Sequence, residues 1–284
     1  MEFLRARSRA DAVATKADHP GAVPIAGGTD VMVDVNFDRL RPDALLDLAG
    51  AGDLQQWAVD GDTVRLGAGV TYSHIIDQLG DRLPGLAMAA RTVGSPQIRN
   101  RGTVGGNLGS ASPAGDALPP LLAAEAQVEV ESVRGIRTVA LSEFCTGVKQ
   151  HVLEADELIT AILVPSATGP QQFAKIGTRN AMVIAVCSVA VALHPHVRRV
   201  GTGIGSAAPT PRRAGAAERF AARELDWDGG GPLSDDVARR FGELVAAAAD
   251  PVDDVRGSAR YRAHALAVLA RRTLGWTWDA YRRG

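Results

Sequence analysis

The chain has 284 residues, 46% of them hydrophobic and 22% charged, and a formal net charge of −1. This composition belongs to an ordinary globular protein and excludes a disordered chain or a globally basic nucleic-acid binder; the length allows two domains or three lobes. The two cysteines, Cys145 and Cys187, are too few and too far apart for a disulfide framework or for an iron–sulfur or zinc site within the chain.

The opening residues, "MEFLRARSRADAV", contain no apolar core of a secretory signal. The longest apolar run, Ala181 to Leu193, is too short to span a bilayer, so a cytoplasmic protein with no membrane span is expected. Strands are expected at 22–28, 44–50 and 62–70, each closed by glycine. Ile75, Ile76 and Leu79 recur at helical spacing, with Ser73 as the expected N-cap. Val128 and Val130 alternate with charge and lead through "VRG" into a second strand, which predicts a hairpin. Another strand covers 156–165, and "SATGP" (166–170) reads as a linker. Three strand-like runs follow, the middle one starting at Met182, and then three alanine-rich amphipathic helices. Trp276 and Trp278 suit packing onto the last helix or anchoring of a partner.

Two glycine turns carry the chemistry. In "PIAGGTDV" a strand runs into Gly27-Gly28-Thr29-Asp30; in "RNRGTVGGNLGSASPAGD" the same pattern recurs as Thr103-Val104-Gly105-Gly106-Asn107. Paired glycines let successive backbone N–H groups face one concavity, which suits an anion, most commonly phosphate. Two such nests could hold both halves of a pyrophosphate, with Arg99 and Arg101 adding positive charge. Neither turn matches GxGxxG or the P-loop. Asp116 would repel a phosphate, so it either accepts hydrogen bonds further along a ligand or caps the following helix.

The remaining candidates read as structure. His74 falls on a helix, His194 and His196 lack a third ligand, and the short Arg clusters resemble solvated faces. The cysteines suit buried hydrophobes. No Ser-His-Asp or Cys-His arrangement and no evident acid/base pair of carboxylates stands out.

"AGGTD", "GSPQIRNRGTVGGNLGSASPAGDALPPLLA" and "GSAAPTPRRAGAAE" together resemble the FAD-binding (medium) subunit of the molybdenum hydroxylases, the family of the carbon monoxide dehydrogenase medium subunit and the xanthine dehydrogenase flavin domain. The resemblance spans nearly the whole chain. It implies an α+β fold, with a two-lobed FAD-binding domain of the PCMH type (1–57 and 58–165) followed by a three-stranded sheet and three helices (170–284). It places Ala26, Gly27, Gly28, Thr29 and Asp30 on one pyrophosphate loop and Thr103, Gly105, Gly106 and Asn107 on the other. Ser112 and Asp116 fall near the ribityl chain, Ile25 and Leu158 where apolar residues line FAD, and Lys175 and Met182 to Ile184 beside the flavin ring.

The family role is electron transfer from [2Fe–2S] clusters of a small subunit, through FAD, to NAD+, oxygen or a quinone. A molybdopterin large subunit carries out the hydroxylation, and the heterotrimer is sometimes doubled. Two positions depart from the family pattern: Asn36 replaces a frequent lysine, and Val183 replaces an aspartate beside the ring, which alters the field there and the acceptor preference. Two other readings compete: a free-standing FAD oxidoreductase without these partners, and an assembly module that holds FAD structurally.

Overall fold

Three principal sheets organise the chain, and the computed structural model describes residues 1–284 throughout. The first is parallel, in the order β1-β3-β2, from β1 (Glu2–Arg5), β2 (Val23–Ile25) and β3 (Ala44–Asp47). Parallel neighbours need crossovers. These are α1 (Arg9–Asp18), which is capped by the Ser8 hydroxyl and buries Ala12 and Val13, and the short α2 (Val31–Asn36).

The second sheet is antiparallel, in the order β4-β5-β10-β6-β7. It contains β4 (Trp57–Asp60), β5 (Thr63–Gly67), β6 (Gln127–Ser132), β7 (Gly135–Ala140) and β10 (Leu158–Pro165). Five helices intervene between β5 and β6: α3 (Tyr72–Gln78), α4 (Pro84–Thr92), α5 (Pro96–Arg101), α6 (Val104–Ser110) and α7 (Leu118–Ala123). A short helix α8 (Leu141–Phe144) and a small ribbon, β8 (Cys145–Gly147) with β9 (Gln150–His151), precede β10. The predicted hairpin is β6–β7. Its charged face is nevertheless covered: Glu129 is buried, because α1 of the first lobe lies over it. Arg65 donates to it at 2.5 Å and Thr160 at 2.8 Å, which offsets its desolvation. The cap of α3 is Thr71 rather than Ser73; the Thr71 hydroxyl accepts from the His74 N–H. Ser73 lies two residues too late in the chain to reach that donor, and it bonds Asn100 instead.

The third sheet joins β11 (Gln171–Gly177), β12 (Ala185–His194) and β13 (Arg199–Gly205), all antiparallel. It is backed by α9 (Gly215–Glu224), α10 (Asp235–Ala247) and α11 (Ala259–Tyr281). Nine consecutive residues of β12 are buried because both of its faces are covered. Cys187, Val189, Val191 and Leu193 face the helices, while Ala190 and Ala192 face Ala89 and Ala123 of the preceding domain. Alternation in β13 is sharper still. Val200 and Ile204 face the helices; Gly201 and Gly203 face α7. A methyl group at Gly201 would lie 2.0 Å from the Ala123 carbonyl oxygen, and one at Gly203 would lie 1.9 Å from that of Pro119. The wholly buried α7 therefore rests directly on strand backbone. Its two prolines stand at the helix start, where no N–H is needed.

The segment 166–170 is pinned: the Ser166 and Ala167 N–H groups donate to Asp62 and Arg82 carbonyls. Trp278 takes the packing role; its ring is buried against Trp227 and Tyr281, and its N–H donates to the Gly231 carbonyl. Burial raises both thiols, Cys145 and Cys187, to about 11. No helix is long and apolar enough to cross a membrane.

Candidate cofactor-binding site

The first glycine turn leaves β2 at Ile25 and ends where α2 begins. None of the five backbone N–H groups from Ala26 to Asp30 finds an acceptor in the chain. Gly28 has φ +75°, which a residue with a Cβ adopts only with strain, and Ile25 is buried beneath it. Gly27 presses against the end of α5, where a methyl group would fall 1.8 Å from the Arg101 carbonyl oxygen. The Asp30 carboxylate accepts from the Ser110 hydroxyl at 2.5 Å. The two glycine segments, remote in sequence, therefore meet.

The second turn is built differently from expectation. Residues 104–106 are the first turn of α6, with Thr103 as N-cap, its hydroxyl accepting from the Gly106 N–H at 2.9 Å. The N–H groups of Val104, Gly105 and Asn107 donate to the carbonyls of Val70, Ala68 and Thr103. No open row of donors is left there. Gly105 serves packing: a methyl group on it would lie 2.5 Å from both Ala68 Cβ and Ala68 O. What this segment presents outward is the exposed backbone of Gly106 and the half-buried carboxamide of Asn107, whose Oδ1 has no partner.

Arg99 is not available as a counter-charge. Its guanidinium donates to the carbonyls of Arg91, Val93 and Gly94, closing the C-terminal end of α4. Arg101 remains exposed. Leu158 is likewise drawn elsewhere; it is 3% exposed in the small core formed with Ala6, Ala12, Val13, Ala22 and Leu46. That core needs a large aliphatic residue at the start of β10, so Leu158 packs the first lobe and does not line an open surface.

Asp116 does not cap α7, whose N-cap is Ala117 with no side-chain bond. Its Oδ2 accepts from Lys175 Nζ at 2.6 Å and from the Thr92 hydroxyl at 3.3 Å. Its Oδ1 is buried and has no partner. Burial raises the pKa of Asp116, against the opposing pull of Lys175 and Thr92. Lys175 Nζ also donates to the carbonyls of Thr92 at 2.9 Å and Val183 at 3.2 Å, so its three protons are all used. Ser112 is half-buried and accepts from the Ala114 N–H. The middle strand of the third sheet begins at Ala185, later than the sequence suggests, because Met182 has φ +50° and turns the chain. Met182 and Ile184 are left exposed, and Val183 packs on Gly177.

Two residues joined this site without a sequence signal, Thr92 and Tyr72, and a third, Ser110, stands among the small polar residues beside the second glycine pair. The Tyr72 ring packs where Gly102 lacks a side chain, and its buried hydroxyl has no partner. Desolvation raises its pKa well above the usual phenol, and the charges of Asp116 and Asp30 add to this. Tyr72 follows a valine and a threonine at a helix start and reads like any core aromatic; only the missing hydroxyl partner marks it. Open donors at 26–30, orphaned acceptors on Asn107 and Asp116, and glycines that a Cβ would fill form a donor-and-acceptor set that fits an extended ligand with an anionic middle and hydrogen-bonding ends.

Residues 1–167 match the family model for the FAD binding domain in molybdopterin dehydrogenase, and residues 172–277 match the model for the CO dehydrogenase flavoprotein C-terminal domain. The chain is 31% identical over 283 residues to the xanthine dehydrogenase FAD-binding subunit of Escherichia coli O157:H7, covering 96% of this chain and 94% of that one. It is 37% identical to the nicotinate dehydrogenase FAD-subunit of Eubacterium barkeri over 60% of this chain and 59% of that protein. A solved carbon monoxide dehydrogenase from Hydrogenophaga pseudoflava, lacking the Mo-pyranopterin moiety of its molybdenum cofactor, contains a chain that superposes with a TM-score of 0.89 at 27% identity, over 99% of this chain and 98% of that one.

Proposed function

Because this chain belongs to the FAD-binding flavoprotein family of the molybdopterin dehydrogenases, we propose that it is the electron-transfer member of a molybdenum hydroxylase, partnered by a small [2Fe–2S] subunit and a large molybdopterin subunit. A dimer of such heterotrimers is the proposed assembly. The domain units follow the sequence reading: FAD lies between residues 1–57 and 58–165, and residues 170–284 close over its flavin end. Bound FAD supplies the redox chemistry, accepting electrons and passing them to NAD+, oxygen or a quinone.

The chain's own residues hold and orient. Ala26 to Asp30 donate backbone hydrogen bonds to the pyrophosphate, beneath which Ile25 gives an apolar floor. Gly106 and Asn107 form the facing wall, held in place by the Thr103 cap and by Gly105 packed on Ala68; the wall allows close approach at Gly106 and offers the free Asn107 Oδ1 to a hydroxyl donor. Ser112 and Asp116 take the ribityl and ring donors, Asp116 through its unpartnered Oδ1. Lys175 fixes Asp116, and Met182 to Ile184 border the ring with apolar surface.

The observation that carries this reading is the row of five unpaired N–H groups at 26–30. Such donors, on a half-buried turn and aimed at no acceptor in the chain, offer an anion a ready set of partners. The test is the absorbance of the purified protein at about 450 nm, with and without added FAD, since the cofactor brings its own spectrum. Gly28→Val and Gly106→Val are expected to be colourless; normal flavin content in both would remove the loop assignment. Mixing with the [2Fe–2S] subunit and following flavin bleaching on its reduction tests the electron-transfer role, and a flavin that stays oxidised in the assembled complex would refute it.

A further inference from the structure

Lys175 lies on β11, an edge strand of the third sheet, yet two of its three hydrogen bonds cross to the preceding domain. One proton goes to the Thr92 carbonyl at the end of α4, one to Asp116, and one back to the Val183 carbonyl within the 178–184 segment. Both side chains of the ion pair are about nine-tenths buried, at 9% exposure for Lys175 and 10% for Asp116. An ammonium with all protons occupied has none left for a ligand. The free valence of the cluster is instead the unpartnered Asp116 Oδ1.

We infer that Lys175 is a positioning residue that couples ligand contact at Asp116 to the setting of the exposed 178–184 segment, through one ammonium shared between the Asp116 carboxylate and the Val183 carbonyl. This rests on the proposal that FAD occupies the site. A donor arriving at Oδ1 fixes the carboxylate plane, and Oδ2 then fixes Nζ over Val183. The segment has few other anchors in its own sequence: Met182 stands in the left-handed region, Arg179 closes locally on the carbonyls of Ala181 and Met182, and Val183 packs on Gly177. Coupling of this kind is reciprocal, so the set segment holds the carboxylate for the ligand as strongly as the ligand holds the segment.

The test uses the full chain, with and without saturating FAD, and reads tryptic cleavage after the exposed Arg179 by mass spectrometry alongside the FAD dissociation constant. In the unsubstituted protein FAD is expected to slow that cleavage. Lys175→Met leaves a buried carboxylate unpaired and risks the fold, so the deciding variant is the double substitution Lys175→Met with Asp116→Asn, which removes both charges. It is expected to bind FAD about 5- to 150-fold more weakly, the usual span of site-to-site coupling, and its cleavage at Arg179 is expected to be the same with FAD as without. General destabilisation would speed cleavage in both arms and leave their ratio intact, so the ratio separates positioning from mere packing. Unsubstituted protein that binds FAD but gains no protection at Arg179 overturns the inference alone, as does a double variant with unchanged protection. Unsubstituted protein that takes up no FAD overturns both this inference and the reading beneath it.

Discussion

The turns at Gly27–Gly28 and Gly105–Gly106 are near twins as text, each a glycine pair flanked by Thr and by Asp or Asn. In the fold they do opposite things with their backbone. The first leaves five N–H groups open. The second consumes its donors in the chain, on Ala68, Val70 and the Thr103 cap. What differs is the neighbour. The first turn is braced from outside, by Arg101 against Gly27 and by Ser110 on Asp30, and its donors stay free. The second is the start of a helix stitched onto the second lobe, and stitching uses the donors. A glycine pair thus marks close backbone approach, and only the surroundings decide whether a ligand or another strand approaches.

Substitutions can break this comparison. The largest effect is expected at Gly27→Val, where the side chain meets a carbonyl at 1.8 Å that is itself backbone and cannot step aside. Overpacking of this kind costs about 1–3 kcal/mol or more, and it separates the two segments, so flavin content measured spectroscopically should fall to background. Gly105→Val should cost a similar ~1–3 kcal/mol in urea unfolding through its clash with Ala68. Here flavin loss should track the unfolded fraction, and a colourless but fully folded Gly105 variant would contradict the packing role. Gly28→Ala comes next: the positive φ costs about 1–2 kcal/mol, seen as weaker FAD binding in a titration.

Gly106→Ala should be the mildest of the glycine changes. Its new methyl meets only the Thr103 hydroxyl at 3.0 Å, and within a helix alanine is favoured over glycine by about 0.5–1 kcal/mol. Thermal unfolding is expected to move little, with any loss confined to FAD affinity. A control remote from both turns is Asp254, whose carboxyl Arg256 and Arg262 hold below the usual range. A depressed folded value means its contribution is present above about pH 4 and is lost as the pH falls further. Acid titration of Asp254→Asn should show a shallower loss of stability there, with flavin affinity at neutral pH unchanged.

The hairpin β6–β7, the three C-terminal strands and the three closing helices were legible because hydrophobic period reports them directly. The first turn was legible only as a strand running into Gly-Gly; its open donors were not, because most glycine pairs are tight turns that bind nothing. The α4–α6 stretch was not legible. Residues 103–107 read as a glycine turn and the rest drew no element; the helices exist through caps at Ser95 and Thr103 and through packing on Ala68 and Tyr72, none of which has a periodic signature. Asp116 shows a deeper limit. Its partner lies 59 residues away, on a strand of the third sheet, and no local rule connects the two. Leu158 was placed beside the cofactor by resemblance alone; nothing in its own sequence context told that lining role from packing in the small core of the first lobe.

The alternate glycines of β13 have a consequence for how the molecule can be taken apart. They make one face of the third sheet a trough with a bare floor, shaped to the carbonyl ridge of α7. Cutting the chain after residue 167 would leave that trough to water and strip α7 of its bed. Grafting the closing domain onto a foreign flavoprotein would therefore succeed only if the donor's proline-led helix travelled with it.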